Sequence, residues 1–143
     1  MVLCSVRMSA MNRSIWLCVL GIAGVVAVVS AHHSLSGIYD SNREVKVEGV
    51  VAQFHFINPH PFVTIDVKNE SGRVQQWRLE MDNRFELAEI GVTADTLKPG
   101  DRVVVSGSPA RSQSTSLYIR RLDRPADGFR YEQVGSTPRV RLP

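Results

Sequence analysis

One interruption limits the fold of this chain more than any other feature: a stretch of helical period, Asn83 to Gly91, set between three runs of alternating apolar residues and two more. Val45–Phe56 sets β-branched residues around Lys46 and Glu48, with Gly49 in the middle. The inward phase is expected to pass from Val45/Val47 to Val50/Ala52/Phe54 across that glycine, as a bulge allows. Phe62–Val67 carries Val63, Ile65 and Val67 on one face, and Val74–Met81 carries Trp77, Leu79 and Met81 in phase. Then the period changes. Asn83 ahead of Glu86 resembles a capping box, Phe85, Leu87, Ala88 and Ile90 suit a short helix, and Gly91 suits its stop. Lys98-Pro99-Gly100-Asp101 reads as a type II turn, and Arg102–Gly107 and Leu117–Leu122 are the last two strands, joined by the polar loop Ser108–Ser116. The order βββαββ is that of an all-β, OB-like five-stranded barrel with one short helix, the fold expected here over residues 45–122. An open five-stranded sheet or sandwich is the alternative. The barrel is expected to close around Val63, Ile65, Trp77, Leu79, Val103, Val105 and Ile119. Residues 32–44 read as a polar N-terminal arm. Residues 123–143, with three prolines, two glycines and scattered arginines, read as an extended tail.

The first 31 residues differ from the rest. They hold no acid, two arginines (Arg7 and Arg13), the apolar run Ile15–Val29 and a Val29-Ser30-Ala31 ending. That is the pattern of a secretory signal peptide cleaved between Ala31 and His32, so the protein is expected to be periplasmic or secreted. A permanent membrane anchor is the rival, but 15 apolar residues fall short of the usual span. Cleavage removes both cysteines, Cys4 and Cys18, and with them thiol redox chemistry, zinc fingers, cysteine hydrolases and disulfides. It also removes most of the net charge of +3, because Arg7 and Arg13 belong to the leader.

His32-His33-Ser34, Tyr39-Asp40, Gly49-Val50-Val51 and Asn58-Pro59-His60, with Trp77 and the Leu97-Lys98-Pro99-Gly100-Asp101 turn, form one series. In that series the chain resembles a family of small exported bacterial proteins known only as a domain of unknown function. The resemblance covers roughly His32 to Leu122. It implies an exported β-rich domain and no established activity.

All four histidines (His32, His33, His55 and His60) lie in the first 29 residues after the expected cleavage site. Imidazole is the commonest protein ligand for zinc, copper and nickel. With His32 at a free terminus, its α-amine and its own ring can chelate one Cu(II), and one further imidazole completes a T-shaped set. This is similar to the terminal histidine of copper oxygenases and of some periplasmic copper carriers. His60 is the candidate third ligand, since Pro61 holds it, and Pro59 holds Asn58, out of the α region on a stiff loop. The plainer alternative is that Asn58 and His60 satisfy the backbone of their own loop. His55 is either an additional ligand or an ordinary strand residue between Phe54 and Phe56; His33 reaches the site only if the arm folds back. The rival to copper is a non-metal ligand- or protein-binding envelope module that uses the barrel mouth, Asn58 and Arg111. An enzyme is the third option, for no nucleophile elbow, paired carboxylates or phosphate loop appears.

A nucleic-acid barrel would set exposed aromatics over a basic groove on strands 2 and 3. The outward phase instead reads Phe62, Thr64, Asp66, then Gln76, Arg78, Glu80, which is too acidic for that role. Charge is split along the chain: residues 32–101 carry −4 and residues 102–143 carry +5. Either the two parts complement each other, or Arg111, Arg120, Arg121, Arg124 and Arg130 meet an anion or an anionic membrane surface.

Overall fold

Val45–His55 forms β1, and its register shows how one strand serves two partners. Its first half pairs antiparallel with β4 (Arg102–Pro109), from Val45↔Gly107 to Val50↔Arg102. Its second half pairs with β2 (Phe62–Lys68), from Val50↔Asp66 to His55↔Phe62. Gly49 stands where the two pairings meet. A Cβ there would lie 2.7 Å from the carbonyl oxygen of Asp66, so glycine lets the strands close up. The phase shift expected at Gly49 falls elsewhere. The inward phase runs unbroken from Val47 to Val51, and the register slips between Val51↔Ile65 and Gln53↔Thr64. Ala52 is therefore the bulged position, and it turns Phe54 toward the core.

β2 pairs with β3 (Val74–Glu80), and β4 pairs with β5 (Ser116–Arg124). A parallel pairing of β3 with β5, from Arg78↔Ser116 to Glu80↔Tyr118, closes the five strands into the expected OB-like barrel. The helix, α2 (Arg84–Glu89), lies between β3 and β4 as read from the sequence. The Asn83 side chain accepts the N–H of Phe85, but the N–H of Asn83 donates to Asp82, so the capping box is half made. At the other end Gly91 takes φ 90°. Its N–H donates to Ala88 and that of Val92 to Leu87, a Schellman stop sealed by the buried Leu87–Val92 pair. The N–H of Asp101 donates to Lys98, with Gly100 at φ 96°, which makes the type II turn.

Val63, Ile65, Leu79, Val103, Val105 and Ile119 are all fully buried, joined by Met81, Leu87, Leu117 and Leu122. Trp77 differs from expectation: it is only partly buried and packs against the edge of this cluster.

The larger correction concerns residues 123–143. β5 runs on to Arg124, and Phe129–Val134 (β6) and Thr137–Arg141 (β7) add a hairpin to it, with Arg121↔Glu132 through Arg124↔Phe129 in register. Phe129 and Tyr131 are as buried as any residue of the barrel. A free tail would have left those two rings in water, which their apolar area opposes. Pro138 is tolerated because β7 is the outer edge of the sheet.

The arm is not free either. After a short helix, α1 (Ser34–Ile38), Tyr39 bridges to Ala110 and is buried.

The structure, a computed structural model, describes residues 34–143. The expected leader, its cleavage site, His32 and His33 lie outside the described residues. Residues 36–143 form one unit. Among the described residues no helix is long and apolar enough to cross a membrane.

Candidate functional site

The β1–β2 loop is tied down from below. The N–H of Met81 donates to the Pro61 carbonyl (2.8 Å) and that of Arg84 to the Pro59 carbonyl (3.1 Å). The Arg84 side chain donates to the Phe56 carbonyl and lies over the Phe56 ring. The Asn58–Pro59 peptide is cis, and Asn58 is exposed. His60 is half-buried, and its Nδ1 is the one buried side-chain N or O atom among the described residues with no hydrogen-bond partner. The loop therefore holds the imidazole without using it. Burying a ring nitrogen with nothing to bond costs about 1–3 kcal/mol.

His55 is placed differently. Its ring stacks on Phe62, 4.2 Å between centroids and 17° between planes, across the β1–β2 pairing. On the β3 side the guanidinium of Arg78 lies 3.5 Å from the same ring's centroid. The outer face of the barrel thus carries a stack of His55, Phe62 and Arg78. Beside it a cleft of about 410 Å³ runs between Thr64, Gln76, Trp77 and Arg78 on the strands and Ser112–Ser116 in the β4–β5 loop.

Arg111 is occupied by the arm. Its side chain pairs with Asp40 at 3.6 Å and donates to the Ser36 carbonyl, while its N–H donates to Ile38. Tyr39 donates to Glu80 at 2.8 Å and packs against Tyr118, 5.7 Å between centroids. Burial first, and then the hydrogen bond to Glu80, push the Tyr39 phenol up to about 12. Tyr118 and Tyr131 are pushed up further, again by burial first; the charge of Asp82 adds to both. Sequence reasoning missed this cluster because its members come from four distant segments.

The other arginines picked out by charge are largely satisfied internally. Arg121 and Arg130 each donate to Asp123 at 2.6 Å. Burial raises that carboxyl, and these hydrogen bonds more than offset it, so its pKa lies below the ordinary value. Arg124 bridges Asp101, Asp127 and the Thr96 carbonyl, and Arg120 donates to the Ser41 carbonyl. Internal complementarity accounts for these side chains.

Of the four histidines, His55 and His60 flank one loop, and His32 and His33 lie outside the described residues. Among the described residues no three His, Asp or Glu side chains gather as a metal-holding group.

The model of one family, described as a family of unknown function (DUF6152), matches residues 20–118. No curated protein matches the chain. Among solved structures the chain is similar to a ZRD-deleted mutant of TiaS in complex with agmatine, at 19% identity and a TM-score of 0.42, over 57% of this chain and 21% of that one. It is similar also to TiaS in a complex with a transfer RNA and ATP, at 18% identity and a TM-score of 0.43, over 68% of this chain and 24% of that one. The chain thus matches about a quarter or less of each of those proteins.

Proposed function

This chain belongs to that family of unknown function, and since membership brings no activity with it, we propose from its own residues that it is an exported, periplasmic binding barrel that takes a copper-type metal ion at the β1–β2 loop. The observation that carries the reading is the Nδ1 of His60, buried and without a partner. It belongs to the residue that Pro61 holds on a stiff loop and that the sequence offers as the candidate third ligand. The expected signal cleavage would start the protein at His32, whose amine and imidazole supply the other donors, with His33 or His55 in reserve. Neutral nitrogen donors of this kind favour Cu(II) over harder ions. Nothing in this reading requires catalysis; the protein would carry or sense the ion.

Two measurements test it. N-terminal sequencing of protein recovered from the periplasm should begin His32-His33-Ser34; intact chain in the membrane fraction would remove both the export and the terminal amine. Cu(II) titration followed by calorimetry and EPR should show one-to-one binding with a nitrogen-rich signal. That binding should weaken when a Met precedes His32, and again in His60→Ala. Equal, weak binding to all three proteins would mean ordinary surface histidines.

A second reading rests on a different observation. Ile57 in the loop and Phe85 in α2, on segments that hydrogen-bond to each other, stand 51% and 64% exposed. A protein partner in the cell envelope would cover such residues, and Ile57→Ser with Phe85→Ser would then abolish its capture without affecting copper.

A further inference from the structure

We infer that the outer face of β2 and β3, beneath the β4–β5 loop, is a binding site for a small organic carboxylate, held by Arg78 and distinct from the site at His60. The cleft there is about 410 Å³, within the usual range for small-molecule sites. Arg78 is the one charged side chain in its lining; every other polar side chain there carries a hydroxyl, an amide or the Trp77 indole N–H. No carboxylate is within ion-pair distance of Arg78 among the described residues, whereas Arg102, Arg111, Arg121, Arg124 and Arg130 each face one. The acids beside it on the outer face have other partners: Glu80 accepts from Tyr39, and Asp66 from Gln76.

The stack decides how that cation is presented. With its Cζ 3.5 Å from the Phe62 centroid, the guanidinium lies over the ring, and a guanidinium stacked in this way spends its π surface there and keeps its edge N–H donors for a ligand. A carboxylate meets such an edge with two parallel hydrogen bonds. Phosphate sites draw instead on several cations or on converging backbone N–H groups, and this lining holds the one cation Arg78. Phe62 offers no free face to a base or sugar, because His55 lies against one side and Arg78 against the other.

The far wall is held in place as well. The N–H of Arg78 donates to the Thr115 carbonyl at 2.9 Å, that of Ala110 to Ser116 and that of Ser116 to Gln113. Little ordering of the loop remains to be done when a ligand enters.

The test is an NMR titration of the protein with succinate, with the uncharged succinamide and inorganic phosphate as separate arms. Succinate should shift the Arg78 Nε–H and the amides of Gln76 and Thr115, and succinamide should not. Arg78→Gln should weaken succinate binding about tenfold or more. Ser114→Glu, an exposed loop change that sets a carboxylate beside the cleft, should abolish it and stands as the control should Arg78→Gln misfold. Equal shifts with succinamide, unchanged binding in either variant, or tighter binding of phosphate than of succinate would overturn the inference. Neither variant touches His60, so loss here with copper binding intact separates the two sites.

Discussion

Tyr39 donates its phenolic hydrogen to Glu80 across 41 positions of sequence, and through that bond the arm becomes part of the barrel. Tyr39→Phe keeps the ring packed on Tyr118 and removes only the donor. The half-buried Glu80 carboxylate then loses a charge-assisted bond, which should cost about 1.5–3 kcal/mol in urea denaturation, with no change in the slope. A loss below about 0.5 kcal/mol would mean that the bridge to Ala110 and the Arg111 contacts hold the arm without it.

All three tyrosines of the chain are held above their ordinary value of 10.0, Tyr39 at about 12 and the other two higher, with burial the first cause in each. The fold favours the protonated phenol. Its contribution to stability is therefore complete below pH 10 and is lost as the pH climbs through 12. Tyrosinate absorbance should stay flat between pH 9 and about 11 and then rise together with loss of the tertiary signal. An ordinary titration step near pH 10 in the folded protein would contradict the burial of at least one of these rings.

The barrel was legible in the sequence because its signals are local. Alternation marked the five strands, and Asn83 and Gly91 bounded the helix. At Gly49 the sequence points to a bulge, because a mid-strand glycine can mean either a bulge or a close approach, and only the position of β2 separates the two. Gly107 repeats the lesson: a Cβ there would collide with the Tyr118 carbonyl, a neighbour that register alone reveals. The hairpin 129–141 did carry a signal, Phe129 and Tyr131 alternating with Arg130 and Glu132 ahead of a Gly135-Ser136 turn. Prolines and arginines made that stretch read as solvated chain. At the site, the stiffness of the His60 loop was legible. The seating of Arg78 on Phe62 was not, because it depends on a diagonal contact between strands.

Phe129 and Trp77 exchange the roles that the sequence suggests for them. Phe129, from the stretch read as a tail, is 1% exposed, and Phe129→Ala should destabilise the whole protein by about 3–5 kcal/mol. Trp77 lies at the border of the core and lines the outer cleft, so Trp77→Ala should cost distinctly less, about 1–3 kcal/mol. Chemical denaturation of the two variants checks both values. The reverse order would return the hairpin to the solvent and Trp77 to the centre of the barrel.

Arg124 gives the sharpest separation between a structural and a surface-binding cation. Its side chain is 13% exposed and reaches three partners: Nη1 donates to the Thr96 carbonyl and to Asp101, while Nε and Nη2 take both oxygens of Asp127. Those partners lie in the β3–β4 connection and the β5–β6 turn, so one guanidinium ties the hairpin to the barrel. Arg124→Met keeps the apolar stem and leaves the partly buried Asp101 without its cation, which should cost about 2–3 kcal/mol. Arg124→Lys restores the charge but not the fork. An ammonium cannot serve Thr96, Asp101 and both Asp127 oxygens together, so it should recover less than about half of that loss. An arginine kept for an anionic membrane would behave in the opposite way. Lys would replace it fully, stability would be unmoved by either change, and adsorption to anionic vesicles would follow the charge alone. Denaturation curves of the two variants, read beside vesicle sedimentation, decide between these outcomes.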